Sequence, residues 1–308
     1  MLGKTQFECP QSLLSAVRSM APLRTAIVNA GSAVVMESAF DATSAGVIEP
    51  LFFGDTDTIV KLAGELEWDI SGYQIIHAAD GTNAADTAAQ AAGNGEAAAV
   101  MKGHIHTDVF MRALLARSAN LRTKRRLTHV FHMTVPGREG QILITDGAVN
   151  IHPDIETKKA MIHNAVDLAR ALGIKRPKVA LLSATEEPME QMPSSMEART
   201  LSDWARDDVA DADVFGPLAM DLALSAEAAR IKGVEHPVAG QADIIVVPDI
   251  VTGNALFKMM VHYMSACAAG IVLGAKVPIL LTSRADPPAA RLASAALAAI
   301  MNNHDERH

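Results

Sequence analysis

The chain has 308 residues, a length at which one hydrophobic core stops growing, so two compact lobes with a cleft between them are expected. Apolar residues make up 49% and charged residues 20%, which is ordinary globular usage and excludes a disordered chain. The net charge of −8 excludes a general nucleic-acid or anionic-membrane binder, so an anionic ligand must meet local positive charge. Cys9 and Cys267 share no metal-ligand spacing and read as reduced thiols. Residues 1–10 lack the apolar core of a secretory signal, and no apolar stretch reaches roughly 18 residues, so a cytoplasmic protein acting on soluble substrates is expected.

Short β-branched or aliphatic runs alternate with longer Ala-rich segments of helical period, which predicts an α/β fold with a parallel sheet and helices on both faces. In chain order the predicted strands are Thr25–Asn29, Pro50–Gly54, Tyr73–His77, Ala97–Met101, Leu127–His132, Gln141–Thr145, Lys178–Ser183, Ala242–Val247 and Val277–Thr282. Among the helices, Glu156 to Leu172 places Met161, Ala165, Leu168 and Leu172 on one stripe, with Pro153 near its start and Gly173 past its end. Pro188 to Arg199 is rich in Pro, Ser and Met without a clean period and is predicted as an exposed loop, a lid or a connector.

Gly93-Asn-Gly-Glu-Ala-Ala98 formally matches a dinucleotide fingerprint. An apparent helix precedes it and a strand follows, which is the reverse of the required context, so it reads as a helix C-cap and turn. Next, Met101-Lys-Gly-His-Ile-His-Thr-Asp-Val-Phe-Met-Arg112 runs from a strand end through a glycine into a helix starting at Thr107 or Asp108, with Arg112 a turn later. His104 and His106 lack the further ligands of a metal site and read as loop histidines. Arg117, Arg122, Lys124, Arg125 and Arg126 then fall in a stretch without an acid; they form either a solvated face or a site for the phosphates of a nucleotide-bearing cofactor.

Further on, Ala242 to Asn254 is a buried-strand pattern followed by Pro, Asp, Gly and Asn, with Lys258 one turn into the next helix. Asp249, Thr252, Asn254 and Lys258 could face one anionic ligand; the plainer reading is a turn capped by Asn254. Val277 to Asp286 is an apolar run ending in a hydroxyl, a guanidinium and a carboxylate at what should be a strand's carboxyl end, where open α/β sheets bind ligands. Arg284 suits bidentate phosphate recognition, Ser283 can donate to a developing anion, and Asp286 can accept a proton. Alternatively, Ser283 and Asp286 cap a helix starting near Pro287.

Taken in order, these segments resemble the phosphate acetyltransferase and phosphate butyryltransferase family from about Ala97 to Ile300. The resemblance rests on Met101-Lys-Gly103 with Thr107 to Leu114, Phe215-Gly-Pro-Leu218 with Asp221, Ala229-Arg-Ile-Lys-Gly233, Ala242-Asp243 to Lys258, and Val272 to Pro278 leading to Ser283-Arg284. It implies two three-layer αβα lobes of the isocitrate/isopropylmalate-dehydrogenase-like type, residues 1–125 plus 271–308 and residues 126–270, with a cleft between them. It also implies a homodimer and a metal-free, reversible transfer of an acyl group between coenzyme A, a co-substrate and not a resident cofactor, and inorganic phosphate.

By the same resemblance Ser283 is the transition-state donor, Arg284 and Arg112 bind the phosphate, and Asn254 and Asp249 line the cleft. From their own sequence patterns Thr107 is placed on the phosphate side, and Lys258, Arg125 and Arg126 join Asn254 and Asp249 as cofactor-side candidates. Two positions depart from the acetyl-specific branch. Its catalytic carboxylate, seven residues after the serine, is Ala290 here, so Asp286 is the candidate base; and Ala219 and Met220 stand where that branch has Gln and an aromatic. Both differences look like the butyryl branch. Two other readings are a metal- and nicotinamide-dependent oxidoreductase of similar architecture, for which no cluster of carboxylates is visible, and a non-catalytic coenzyme A-binding relative, which Ala290 alone favours.

Overall fold

A computed structural model describes residues 8–281 and 286–305. The chain divides into two compact units, Met1–Arg125 with Ala269–His308 and Arg126–Ala268. In chain order unit 1 begins with α1 (Gln11–Val17), β1 (Leu23–Val28), α2 (Ala33–Ser44), β2 (Ile48–Gly54), α3 (Thr56–Glu65), β3 (Ile75–His77), α4 (Gly81–Gly93), β4 (Ala99–Lys102) and α5 (Thr107–Leu115). Unit 2 follows with β5 (Thr128–Thr134), β6 (Ile142–Thr145), α6 (Ile155–Ala171), β7 (Lys178–Leu182), α7 (Pro193–Asp208), β8 (Asp213–Leu218), α8 (Met220–Leu224), α9 (Ala226–Ile231), β9 (Ile244–Val246) and α10 (Ile250–Met264). The chain then completes unit 1 with β10 (Cys267–Leu273), most of it in that unit, β11 (Ile279–Leu280) and α11 (Pro288–Asp305).

In unit 1 the strand order is β3-β2-β1-β4-β11-β10, parallel except where β10 meets β11. Parallel strands covered by helices read as unbroken apolar runs, and Ala26, Ile27, Val28, Leu51, Phe52, Phe53, Val100 and Met101 are all buried. The predicted alanine-rich helix is α4, whose buried Ala84, Ala85, Ala88, Ala89, Ala91 and Ala92 let it lie close on β1 and β2. It ends at Gly93, with Asn94 as C-cap and Gly95 at φ +82°, so the fingerprint-like sequence is a helix end and turn. The helices α1, α2 and α11 pack as one group and α4 and α5 as another.

In unit 2 the order is β5-β6-β9-β7-β8, parallel except for the β5–β6 pair. The helix predicted from Glu156 is α6; Asp154 caps it by accepting from Thr157 N at 2.7 Å, and Met161, Ala165 and Leu168 form its buried stripe. Two strands were not legible as such. In β8 the Gly216-Pro217 pair reads as a turn, yet β8 is the edge strand, where a proline costs no shared ladder bond. In β10, Cys-Ala-Ala-Gly supplies little β-branched signal. The predicted 188–199 loop is also shorter than expected: α7 begins at Pro193, a residue suited to a first helical turn, and Ser195 is fully buried with its hydroxyl on the carbonyls of Met189 and Met192.

Candidate active site

Parallel α/β sheets present ligand-binding turns at the carboxyl ends of their strands. In unit 1, β4 and β11 are parallel neighbours with Ile279 opposite Val100 and Leu280 opposite Met101. The turn after β4 and the chain after β11 therefore leave the same sheet edge side by side. The first must pass tightly across β1, because a Cβ at Gly103 would lie 1.9 Å from the carbonyl oxygen of Val28. Asn29, at φ 51°, holds the same crossing by donating from Nδ2 to the carbonyl of His104 at 2.6 Å.

The turn delivers Thr107 as the first residue of α5, with Arg112 a turn later, and both are exposed. Arg112, 77% exposed, reaches Asp108 at 3.5 Å, an (i, i+4) pair loose enough to yield to a phosphate. Ser283 and Arg284 lie outside the described residues. Asp286 follows them, half-buried, its carbonyl accepting from Nη1 of the buried Arg291 at 2.5 Å. Ala290 is buried within α11, whose Ser294 hydroxyl bonds its carbonyl at 2.8 Å, so the position expected to carry a base carries a core methyl group.

In unit 2 the corresponding edge is formed by the ends of β6 and β9. Asp249, not Asn254, caps α10, accepting from Thr252 N at 2.8 Å and from its hydroxyl at 3.0 Å. The Asn254-cap expectation fails because Asp249 comes first after the strand and already satisfies the helix's first turn. Asn254 sits inside α10 and donates to the carbonyl of Gly147 at 3.3 Å; Lys258 is exposed, its Nζ 5.9 Å from the centre of the Phe257 ring. A Cβ at Gly253 would come within 2.5 Å of the Asp146 carbonyl oxygen, so this glycine lets α10 lie directly on the β6 turn.

Asp146 itself was not singled out from the sequence, where Asp-Gly reads as a plain turn. It is fully buried: Oδ1 accepts from the N–H groups of Ala148 and Val149, each at 2.9 Å, and Oδ2 from His129 N at 2.9 Å and Asn150 Nδ2 at 2.7 Å. Burial lowers the His129 imidazole to about 4 against the opposing pull of Asp146, and lowers His132 to about 4 as well. Both histidines are therefore neutral structural groups.

The basic run divides between the units. Arg125 closes the first segment of unit 1 and is exposed. Arg126 opens unit 2, and its Nη1 donates to both carboxylate oxygens of Asp154, at 2.9 and 3.2 Å, and to the Thr157 hydroxyl at 2.5 Å. Its guanidinium braces the cap of α6 through an exposed ion pair. The same bonds, those from Thr157 foremost, hold the Asp154 carboxyl below the usual carboxylate range. Among the described residues no group of three or more His, Cys, Asp and Glu stands close enough to hold a metal ion, and no helix is long and apolar enough to cross a membrane.

A two-unit α/β fold of largely parallel strands is of the class that binds ligands at the carboxyl ends of its strands. A family profile described as phosphate acetyl/butaryl transferase matches residues 81–299. The chain is 42% identical over 289 residues to a phosphate acetyltransferase of Rhizobium meliloti, covering 94% of this chain and 92% of that one. It is 35% identical over 290 residues to a phosphate butyryltransferase of Clostridium acetobutylicum, covering 94% and 96%. The crystal structure of a branched-chain phosphotransacylase from Enterococcus faecalis V583 superposes with a TM-score of 0.79 at 31% identity, covering 92% of this chain and all of that one. A 4-hydroxythreonine-4-phosphate dehydrogenase from Burkholderia phymatum, at a TM-score of 0.56 and 14% identity over 92% of this chain and 99% of that one, shares the fold alone. The chain belongs to the phosphate acetyl/butyryl transferase family and is a phosphate acyltransferase.

Proposed function

We propose that the coenzyme A thiol attacks the acyl carbonyl of an acyl phosphate directly, in a reversible transfer, with Ser283 and Arg284 at the reacting group and Arg112 and Thr107 on the phosphate. What supports this placement most is the parallel β4–β11 pairing, from which the Thr107–Arg112 helix and the chain entering residues 282–285 leave one sheet edge side by side. A free thiol titrates near ~8.5, so only a few per cent is thiolate at neutral pH; an arginine beside it favours the anion and a carboxylate can take the proton. Asp286 is assigned that proton, since Ala290 has no acceptor.

Coenzyme A is taken as co-substrate, with Asp249, Asn254 and Lys258 assigned to its binding and Arg125 to its phosphates. We further assign the exposed apolar row of α10, Val251, Met259 and Tyr263 at 70, 56 and 85% exposure with Ala255 between them, to contact with a second copy of the chain. A row of this kind left in water favours self-association. Thioester formation from coenzyme A and acetyl, propionyl or butyryl phosphate tests the reaction and ranks the donors; no thioester from any of the three overturns it. Sedimentation of Tyr263→Glu tests the pairing, which predicts a dimer for the parent chain and a monomer for the variant.

A further inference from the structure

Arg291, in the first turn of α11, breaks three local rules at once. It is a cation only 6% exposed, in a half of the helix whose other buried residues are the small Ala290, Ala293, Ser294, Ala295 and Ala296. A guanidinium carries five N–H donors and a permanent charge. Yet among the described residues the Asp286 carbonyl is the one acceptor that Arg291 reaches, no carboxylate pairs with it, and its Nε is buried without a partner. It also stands at the helix end where the macrodipole disfavours positive charge. Burying a charge on these terms costs stability, and an apolar side chain of similar length would avoid the cost. Rules broken together with no gain in packing point to a functional role.

The single bond of Arg291 falls where it controls the chain entering α11. Pro287 and Pro288 have no N–H and a ring-fixed φ, and the Pro287 carbonyl accepts from Ala290 N at 3.0 Å and from Arg291 N at 3.2 Å, so the backbone is stiff from Pro287 onward. Arg291 carries that hold one residue further back. Its Nη1 reaches the Asp286 carbonyl at 2.5 Å and so fixes the peptide plane that contains the Asp286 Cα. Asp286 is half-buried, so water can satisfy this carbonyl without Arg291, and the bond matters more for the orientation it imposes than for the acceptor it fills.

We infer that Arg291 is a positioning residue for the acyl transfer: it holds the main chain at Asp286 so that the Asp286 carboxylate stands in place to take the thiol proton. The inference rests on the assignment of that proton to Asp286 above. The proton passes from sulfur to a carboxylate oxygen, the S–H electron pair stays on sulfur to attack the carbonyl, and Arg291 exchanges no proton. A base already held in its reactive geometry transfers faster than one that must find it.

Steady-state kinetics and thermal unfolding of Arg291→Met, Asp286→Asn and the double variant test this. Arg291→Met should lower kcat about tenfold, with the KM values for coenzyme A and acyl phosphate within twofold, and should leave Tm no lower than the parent's, because methionine fills the space without the buried charge. Asp286→Asn should lower kcat on the order of 10²-fold. The double variant should fall within twofold of Asp286→Asn, since without the base there is nothing left to position. Parental kcat in Arg291→Met overturns the inference, and a lowered Tm beside it is the mark of a purely structural tie. A double variant slowed by the product of the two single effects also overturns it, because Arg291 would then act apart from Asp286. Should Arg291→Met fail to fold, Arg291→Gln, uncharged and too short to reach the carbonyl, is read by the same outcomes. Asp286→Asn at the parental rate defeats the base assignment and the inference with it, whereas a slow Asp286→Asn beside a parental Arg291→Met defeats the inference alone.

Discussion

Unit 1 leaves the charges of its sheet edge in water, with Thr107, Asp108 and Arg112 exposed on α5. Unit 2 sinks Asp146 and Lys158 into the protein and gives the carboxylate four donors. An exposed guanidinium held by one loose ion pair keeps most of its electrostatic capacity for an incoming phosphate. A buried carboxylate with every lone pair engaged has none to offer and instead fixes the turn on which α10 rests. Substitutions at the first edge should therefore change turnover at nearly constant stability, and substitutions at the second should do the reverse.

The largest effect is expected at Asp146. Asparagine there turns an NH₂ toward groups that are themselves donors, leaving buried N–H groups unsatisfied, and should cost about 3–5 kcal/mol. Urea unfolding of Asp146→Asn should show a much lower midpoint or a collapse in soluble yield; a midpoint near the parent's would break the contrast from the unit 2 side. From the unit 1 side, Arg284→Ala should lower kcat/KM on the order of 10²-fold, about 2.7 kcal/mol of transition-state stabilisation, with the unfolding midpoint unmoved. Near-parent turnover removes Arg284 from the reaction.

The buried histidines make the contrast visible in pH. His129 and His132 titrate at about 4 when folded against about 6.5 when unfolded, so between those values the unfolded chain binds more protons and stability rises with pH. Stability is fully present above pH 6.5 and is lost as pH falls toward 4, by about 2 kcal/mol per histidine between pH 7.5 and 5. His132→Leu should flatten that dependence by one histidine's share. An identical slope in parent and variant would show that His132 is protonated when folded.

The same contrast explains what could be read in the sequence. The exposed edge was legible because its residues sit in patterns: a strand, a glycine, then Thr107 and Arg112 in one helical turn. The two-lobe division rested on resemblance, not on any linker. What stayed hidden depends on contacts distant in the chain. Asp146 looks like half of an Asp-Gly turn until His129, 17 residues earlier, is found on its Oδ2. Lys158 and Glu197, 39 residues apart, look like two surface charges on two helices until α6 and α7 are packed together. Local spacing also misassigned the cap of α10, because Asp249 and Asn254 are equally good capping types and only the strand's end at Val246 decides which comes first.

The smallest effect separates two adjacent arginines. Arg125 and Arg126 are indistinguishable in sequence, yet Arg126 is already bonded to Asp154 and Thr157, whereas Arg125 belongs to the unit with the exposed edge. If phosphate contact is the role of Arg125 alone, Arg125→Glu should weaken coenzyme A binding by about tenfold, the scale of one charge-assisted hydrogen bond. Arg126→Gln, which gives up an exposed ion pair, should leave the Kd for coenzyme A within twofold and lower Tm only slightly. Calorimetry of the two single variants at low and high salt sharpens the assignment, because a phosphate contact loses strength as ions screen it. Equal weakening in both variants would return Arg126 to the cofactor side and show that a ligand can draw it away from the cap of α6.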